Sequence, residues 1–286
     1  MTDRRIIDAH HHLWDLLVRP QPWITGPALE PLNRSFSLTD LEAPARTAGV
    51  DATVVVQTVC VPDETRELLS LAAEHSLVAG VVGWVDLTAP DIADRLARLR
   101  ELPGGDRLVG IRHQVQEESD PAWLLRADVR RGLTAVAAAG LVYDLVVTPH
   151  QLPAAVAVCA GLTGVTFVLD HLGKPPIASG RIEPWASDLR LLSALPNTVC
   201  KLSGLLTEAV PGAWRIDDLR PWVDLALEAF TPQRLLFGSD WPVSTLEADY
   251  AEVVRVTDQL TAGLGPHERD ALFRGNAERV YRLHTC

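Results

Sequence analysis

The sequence predicts an α/β fold, a closed (β/α)8 TIM barrel that forms one domain over residues 1–286. Apolar, β-branched-rich segments alternate eight times with segments of helical periodicity, which is typical of parallel strands joined by crossover helices. A barrel of this kind needs roughly 250 residues, so the length fits. The first apolar segment is not followed by the glycine-rich turn that a doubly wound open sheet usually carries.

Each predicted strand is a short apolar run bounded by turn or charged residues. The runs span residues 5–10, 52–59, 78–87, 108–115, 141–147, 165–172, 197–204 and 234–240. Apolar residues at i, i+3 and i+4 predict helices over 63–76, 90–102, 121–140, 152–162, 183–195, 216–230, 245–263 and 266–283. Three stretches without a clear pattern follow strands, and barrel active sites lie on that face. They span 15–38, 173–183 and 204–215.

Charge and hydropathy argue against several classes of function. The net charge of −11 gives a surface that repels phosphate backbones, so we expect no nucleic-acid partner. No apolar run reaches the ~18 residues that span a bilayer, and the charged N-terminus lacks a signal-peptide core. We therefore expect a cytoplasmic protein that does not bind membranes. A homo-oligomer is compatible with the sequence, although no predicted helix shows an obvious exposed apolar face that would indicate a dimer interface.

Polar side chains stand at the end of nearly every predicted strand. They are His10 and His12, Gln57, Trp84 and Asp86, Arg112 and His113, Tyr143 and Asp144, Asp170 and His171, Lys201 and Ser203, and Asp240 and Trp241. Because the strand ends of a parallel barrel converge on one mouth, we expect these groups to meet there. Burying so many polar groups costs desolvation energy, and this favours an enzyme site over a purely structural role.

The histidine pair on the first strand predicts a metal site. Residues i and i+2 share one face of a strand, so His10 and His12 point together into the mouth while His11 faces the helices. Two such imidazoles can share a divalent ion at ~2.0–2.1 Å. With His171 and Asp240 they form a donor set that suits zinc or a similar ion. Core packing for His171 and a turn or N-cap role for Asp240 are the alternatives.

Three further polar residues lie outside the main set of predicted metal ligands. Asp170 is interpreted as structural, bonding backbone or orienting His10. Lys201 is expected to bond backbone inside the barrel. His150 is an alternative metal ligand from the fifth strand, although it lies in a "TPHQLP" turn.

Six motifs resemble the amidohydrolase superfamily, and within it the lactonase-type branch of L-fuconolactonase-like and muconolactone hydrolases. They are "IDAHHHLWD", "GIRHQVQ", "FVLDHLGKP", "CKLSGL", "LLFGSDWPV" and "FRGNAERVYRL". The resemblance runs from residue 6 to about 283 and implies a distorted (β/α)8 barrel that hydrolyses esters or lactones. It implies that His10, His12 and His171 are metal ligands and that Asp240 activates water.

The chain departs from the binuclear members of that superfamily. Those use a lysine or glutamate on strand four to bridge two metals, whereas strand four here offers Arg112 and His113. We therefore expect a single divalent ion, with zinc as the first choice, and keep metal-independent catalysis as an alternative. Without a metal, the imidazoles of His10, His12 and His171 would polarise the carbonyl as hydrogen-bond donors.

The predicted function is hydrolysis of a lactone of a small sugar acid or related hydroxy acid. Asp240 is the general base, the metal or His171 with its neighbours polarises the carbonyl, and His113 is an alternative acid for the leaving oxygen. Polar groups and indole rings suit sugar hydroxyls and C–H faces. The expected substrate contacts are Arg112, Trp84, Asp144, Lys174 and Trp241. A metal-dependent decarboxylase of the same superfamily and a non-catalytic ligand-binding barrel are the alternatives.

Overall fold

The structure, a computed structural model, describes residues 5–283, so the predicted domain 1–286 extends beyond it at both ends. Eight parallel strands pair in chain order in a single sheet. They are β1 (Ile6–His11), β2 (Val50–Val56), β3 (Val78–Gly83), β4 (Leu108–His113), β5 (Val142–Leu145), β6 (Phe167–Leu169), β7 (Thr198–Leu202) and β8 (Leu235–Phe237). Most strands are shorter than predicted, because their polar end residues leave the ladder and turn into the loops.

The barrel closes where the C-terminal ends of β1 and β8 meet. The Asp240 N–H donates to the His10 carbonyl at 2.8 Å, and the His12 N–H donates to the Trp241 carbonyl at 2.7 Å. His11 and Trp241 form a parallel bridge at the same place. The predicted (β/α)8 barrel is therefore confirmed. Its closing bonds also tie the histidine-bearing strand directly to the loop that carries Asp240.

Helices follow the strands around the barrel. They are α1 (Leu38–Thr47), α2 (Pro62–Glu74), α3 (Ile92–Arg100), α4 (Ala127–Ala138), α5 (Leu152–Gly161), α6 (Trp185–Ser193), α7 (Ile216–Phe230), α8 (Tyr250–Leu260), α9 (Pro266–Asp270) and α10 (Asn276–Tyr281). The helix predicted over 266–283 is interrupted by a π-helical turn, Ala271–Gly275. Among residues 5–283, no helix combines the length and apolar character needed to cross a membrane.

Helix α1 was missed by the sequence analysis. Its interior contains Pro44, which weakens the helical signal. Its start is nevertheless marked by a capping box, in which the Asp40 N–H donates to Ser37 Oγ and the Ser37 N–H donates to the Asp40 carboxylate. Leu38 and Leu41 bury one face of the helix. The Ser-x-x-Asp spacing was the available signal.

A second apolar layer fills the interior of the barrel and seals its lower end. Ile7, Val54 and Leu236 point inward from their strands and pack with Val280 and Tyr281 of α10. Helix α10 thus covers the end of the barrel opposite the strand C-termini.

Candidate active site

The histidine pair of β1 lies in the mouth as the strand alternation predicted. His10 and His12 are buried, and their Nε2 atoms are 3.1 Å apart. His11 points to the other face, where its Nε2 bonds the Thr53 hydroxyl at 2.9 Å. The shared orientation of His10 and His12 leaves two imidazole nitrogens aimed at one point.

His171 and Asp240 complete this cluster. The Asp240 Oδ1 atom lies 3.5 Å from Nε2 of His12, 3.8 Å from Nε2 of His10 and 3.9 Å from Nε2 of His171. The rings of His10 and His171 meet edge to face, with centroids 4.5 Å apart. The structure therefore brings together the four residues predicted as metal ligands, from positions 10 to 240 of the chain.

Unusual backbone conformations aim the two loop-borne members of the cluster. His171 and Asp240 have φ angles of 53° and 57°, in the left-handed region that non-glycine residues rarely adopt. Such residues cost about 1–3 kcal/mol each and are concentrated at functional sites. Gly204 packs beneath both, because a Cβ there would lie 2.6 Å from His171 Nδ1 and 3.1 Å from Asp240 Oδ2.

Asp8 is a positioning residue that the sequence analysis missed. Its buried carboxylate accepts the N–H groups of His10 at 3.0 Å and Ser239 at 2.8 Å. It also accepts the hydroxyls of Ser239 at 2.6 Å and Tyr250 at 2.8 Å. These four bonds fix the backbone next to both His10 and Asp240. The available signal was the aspartate two residues before His10, although a register shift in β1 between Asp8 and His11 breaks the simple alternation there.

Burial and charge set the protonation of the cluster. Burial alone raises the pKa of Asp240, but the imidazoles of His171, His12 and His10 outweigh it and hold that pKa below its usual range. Burial lowers the pKa of His171 to about 4, even though Asp240 acts in the opposite direction. At neutral pH the carboxylate is ionised and the His171 ring is neutral, the states that a general base and a metal ligand need.

Hydrogen bonds determine which imidazole nitrogens are free. His12 Nδ1 lies 2.7 Å from the Val56 carbonyl, which can only accept, so a neutral His12 carries its proton on Nδ1. Its Nε2 therefore offers a lone pair. His171 Nδ1 bonds the Ser203 hydroxyl at 2.9 Å and leaves its own Nε2 for the cluster.

Three members of the cluster, His10, His12 and Asp240, fit one divalent ion in spacing and in chemistry. Ligand atoms at ~2.0–2.1 Å around a tetrahedral ion lie ~3.4 Å from one another. The Nε2 atoms of His10 and His12 are 3.1 Å apart, and the Asp240 Oδ1 atom lies 3.5–3.9 Å from the three Nε2 atoms. His10, His12 and Asp240 form one group of donors that could hold a metal ion, and His10, His171 and Asp170 form another.

A buried ionic network lies beneath His10. Lys201 Nζ is 2.5 Å from Asp144 Oδ2, 3.0 Å from Asp170 Oδ1 and 3.1 Å from His10 Nδ1. The Tyr281 hydroxyl donates to Asp144 from α10 at 2.9 Å. Asp170 Oδ1 lies 3.3 Å from His10 Nδ1, beside the ring that it was expected to orient. The expectation that Lys201 bonds backbone is wrong, because carboxylates and an imidazole surround its ammonium.

A cavity of about 300 Å³ opens above the cluster. His12, His171 and Asp240 form part of its floor, and the predicted substrate contacts Arg112 and Lys174 also line it. Its walls divide into an apolar and a polar part, most of which the sequence analysis did not identify. The apolar part is Trp23, Leu29, Val146, Val243 and Leu246, and the polar part includes Gln114, Gln116, Glu117 and Glu208.

His113 and Trp84, two other predicted site residues, lie outside this cavity lining. His113 Nδ1 accepts the Trp84 indole N–H at 3.0 Å, and its Nε2 bonds Glu118 at 2.8 Å. Its ring stacks on Trp123 at 4.3 Å. Trp84 lines a separate surface depression. His113 directly follows Arg112, and since neighbouring strand residues face opposite ways, only Arg112 points inward.

Asp144 and Trp241, which were predicted to contact the substrate, also lie outside the cavity lining. Asp144 is fully buried below the cavity, and its oxygens are occupied by Lys201 and Tyr281. Trp241 is buried and packs edge to face on Phe36. His150, the alternative ligand, is exposed in its loop, where it bonds the Thr148 hydroxyl.

Comparisons with known proteins show which family the chain resembles. The family model of the amidohydrolases matches residues 7–283. The chain is 42% identical to the L-fucono-1,5-lactonase of Burkholderia multivorans, over 97% of this chain and 96% of that protein. It is 40% identical to the L-fucono-1,5-lactonase of Burkholderia ambifaria, over 97% and 95%.

The structural comparison extends this likeness to a metal-bound relative. A crystal structure of an amidohydrolase from Burkholderia multivorans with bound Zn matches with a TM-score of 0.92 and 41% identity. The match covers 98% of this chain and all 100% of that one. The lactonase-type resemblance seen in the motifs is confirmed by these relatives, and the chain belongs to the amidohydrolase family.

Proposed function

We propose that the protein hydrolyses the 1,5-lactone of a sugar acid, with L-fucono-1,5-lactone or a close stereochemical relative as substrate. One observation carries the proposal: an ionised carboxylate, Asp240, lies within 3.9 Å of three imidazole nitrogens under a sugar-sized cavity. The two lactonase relatives support the substrate class, since each aligns over nearly the whole chain.

Asp240 acts as the general base. Its carboxylate takes a proton from a water molecule while the water oxygen forms a bond to the lactone carbonyl carbon. The tetrahedral intermediate then collapses by breaking the bond between that carbon and the ring oxygen. The protonated Asp240 returns its proton to the ring oxygen, which releases the open hydroxy acid. His113 lies outside the cavity lining, so Asp240 is the better placed acid for this second step.

His10, His12, His171 and Asp240 would hold a divalent metal ion, and zinc is the ion proposed because imidazoles and a carboxylate are its usual ligands. When bound, such an ion would act as a Lewis acid on the lactone carbonyl. Without it, the Nε2–H of His171 is the proposed donor, since the Ser203 hydroxyl can donate to Nδ1. A neutral His12 is not a donor here, because its proton is bonded to the Val56 carbonyl.

The cavity walls suit a sugar ring that is polar on its edges and apolar on its faces. Gln114, Gln116 and Glu117 offer amide and carboxylate groups to ring hydroxyls. Trp23 and Leu246 offer an apolar surface to the C–H bonds of the substrate. Lys174 Nζ lies 3.3 Å from Glu208 Oε1 beside the polar wall. This charged pair would lie near the substrate hydroxyls.

A panel of sugar lactones in weakly buffered indicator solution tests the proposal, because each ring opening releases one acid proton at neutral pH. We expect turnover of L-fucono-1,5-lactone and slower turnover of lactones that differ at several stereocentres. Release of CO2 from a carboxylated substrate, with no lactone turnover, would contradict the proposal in favour of a decarboxylase. Tight lactone binding without turnover would instead indicate a binding protein.

A further inference from the structure

Carboxylates outnumber cations among the side chains that line the cavity. The cations are Arg112 and Lys174, and the carboxylates are Glu117, Glu208 and Asp240. A sphere of about 300 Å³ is about 8 Å across, and the Debye length at physiological ionic strength is also ~8 Å. A charged group on a bound ligand therefore interacts with all of these side chains, in whichever orientation the ligand binds.

Each of the two cations already contacts a carboxylate. Arg112 Nη1 lies 3.0 Å from Asp170 Oδ2, and neither side chain is more than 3% exposed. Breaking a buried ion pair to bind a ligand is costly, so Arg112 stays with Asp170. Lys174 Nζ lies 3.3 Å from Glu208 Oε1, and these side chains are 28% and 25% exposed. This second pair is the one that a single substitution can open.

The pair of Lys174 and Glu208 joins the loops that follow β6 and β7. Lys174 lies in a left-handed turn, in which His171, Leu172 and Lys174 have φ angles of 53°, 52° and 53°. The Lys174 N–H donates to the His171 carbonyl at 2.8 Å. The Trp185 indole N–H donates to the Leu172 carbonyl at 2.7 Å. Because these bonds fix the backbone of the turn, we expect Lys174 to stay in the cavity lining when Glu208 is replaced.

Hydroxyl groups and carboxylates on a ligand meet opposite conditions in this cavity. A hydroxyl can donate to the carboxylate of Glu117 or Glu208, and hydrogen bonds to a charged acceptor are strong. A carboxylate has no proton to donate at neutral pH, and Glu117, Glu208 and Asp240 repel it. Lys174 offsets this repulsion little, because Glu208 already neutralises it.

We propose that the cavity selects uncharged lactones, and that Glu208 is a specificity-determining residue because it neutralises the ammonium of Lys174. Without Glu208, that ammonium would hold a carboxylate of the ligand. The biological meaning of this selection rests on the proposed lactonase function. The selection narrows the substrate class to lactones whose other groups are hydroxyls and C–H bonds, and it rejects substrates that carry a further carboxylate.

Two lactones of the same ring size and stereochemistry test the selection. D-Glucono-1,4-lactone and D-glucaro-1,4-lactone differ only at C6, which carries a hydroxyl group in the first and is a carboxylate in the second. Their dissociation constants are measured by calorimetry on chelator-treated protein with Asp240→Asn, so that no lactone is opened and no bound ion adds positive charge. We expect this parent protein to bind the neutral lactone at least about tenfold more tightly than the anionic one.

The substitution Glu208→Gln in this background should lower the dissociation constant of D-glucaro-1,4-lactone about tenfold, because it frees Lys174 and removes one repelling charge. Glu117→Gln is the matched control. It also turns one cavity carboxylate into an amide, but within residues 5–283 no cationic nitrogen lies within 4 Å of that carboxylate, so it frees no cation. Adding Lys174→Met to Glu208→Gln should cancel the gain.

A gain in Glu208→Gln that is less than about threefold larger than the gain in Glu117→Gln overturns the proposal. Affinities of the parent protein for the two lactones within threefold of each other overturn it too, even if Glu208→Gln does not fold. Neither measurement uses turnover. A protein that binds the two lactones alike but hydrolyses the lactone panel would contradict the selection and not the proposed function, and a selective protein without turnover would do the reverse.

Discussion

Gly204 gives a sharp test of how closely the catalytic groups are packed. Replacing it by alanine places a Cβ 2.6 Å from His171 Nδ1, whereas ordinary contacts begin at 3.4 Å, so the ring must move by about 0.8 Å. That movement breaks the bond between His171 and Ser203 and displaces Nε2 relative to Asp240. A misplacement of about 1 Å at reacting groups costs on the order of 10²-fold in rate. We therefore expect kcat/KM to fall about 100-fold.

The backbone strain of an alanine at position 204 can be measured separately from its collision with His171. Gly204 has a φ of +64°, where alanine costs roughly 1–2 kcal/mol. Gly212 has a φ of +65°, and a Cβ added there would meet no atom within 4 Å, so Gly212→Ala carries the same strain without the collision. Gly212→Ala should show a small fall in thermal midpoint, measured by circular dichroism, and Gly204→Ala a larger one, because the collision with His171 adds to the strain. Activity of Gly204→Ala within threefold of Gly212→Ala would refute the packing argument.

Two further predictions concern stability. Asp8→Asn removes the charged acceptor of the Ser239 and Tyr250 hydroxyls, and with an amide NH2 at that position both hydroxyls must turn their O–H bonds away. The unfolding free energy in urea should fall by about 2–3 kcal/mol and kcat should fall with it. An unchanged midpoint would contradict this prediction. Burial lowers the pKa of His11 from 6.5 to about 3. The unfolded chain therefore binds a proton there that the folded chain does not. Stability should fall as pH falls below 6.5, and His11→Asn should reduce that slope by up to ~1.4 kcal/mol per pH unit in urea titrations between pH 6 and 4. An unchanged slope would show that His11 protonates equally in both states.

The convergence of His10, His12 and Asp240 was predictable because it follows from topology. Alternation along β1 selects His10 and His12 and turns His11 away, and strand ends of a parallel barrel meet at one mouth. His171 was placed correctly by the same rule, although its left-handed backbone, which aims the ring, has no signal in a single sequence.

The wrong site predictions arose because neighbouring polar residues at a strand end were all assigned to the mouth, although alternate residues of a strand face opposite sides. Arg112 and His113 are adjacent on β4, so they could not both face the cavity. Asp144 does point inward, in register with Arg112. Its short side chain stays on a lower level, where it meets Lys201, while the long guanidinium reaches the cavity. How deep a side chain ends inside a barrel depends on its length and on its partners from distant strands, and those partners cannot be read from the residues at the strand ends alone.

The catalytic rate of Asp240→Asn on L-fucono-1,5-lactone tests the central claim most directly. Asparagine keeps the size of the side chain but cannot take a proton from water, so we predict a fall in kcat of about 10²–10⁴-fold with an unchanged circular dichroism spectrum. A folded variant that keeps more than about a tenth of the wild-type rate would contradict the assignment of Asp240 as the base that drives lactone hydrolysis.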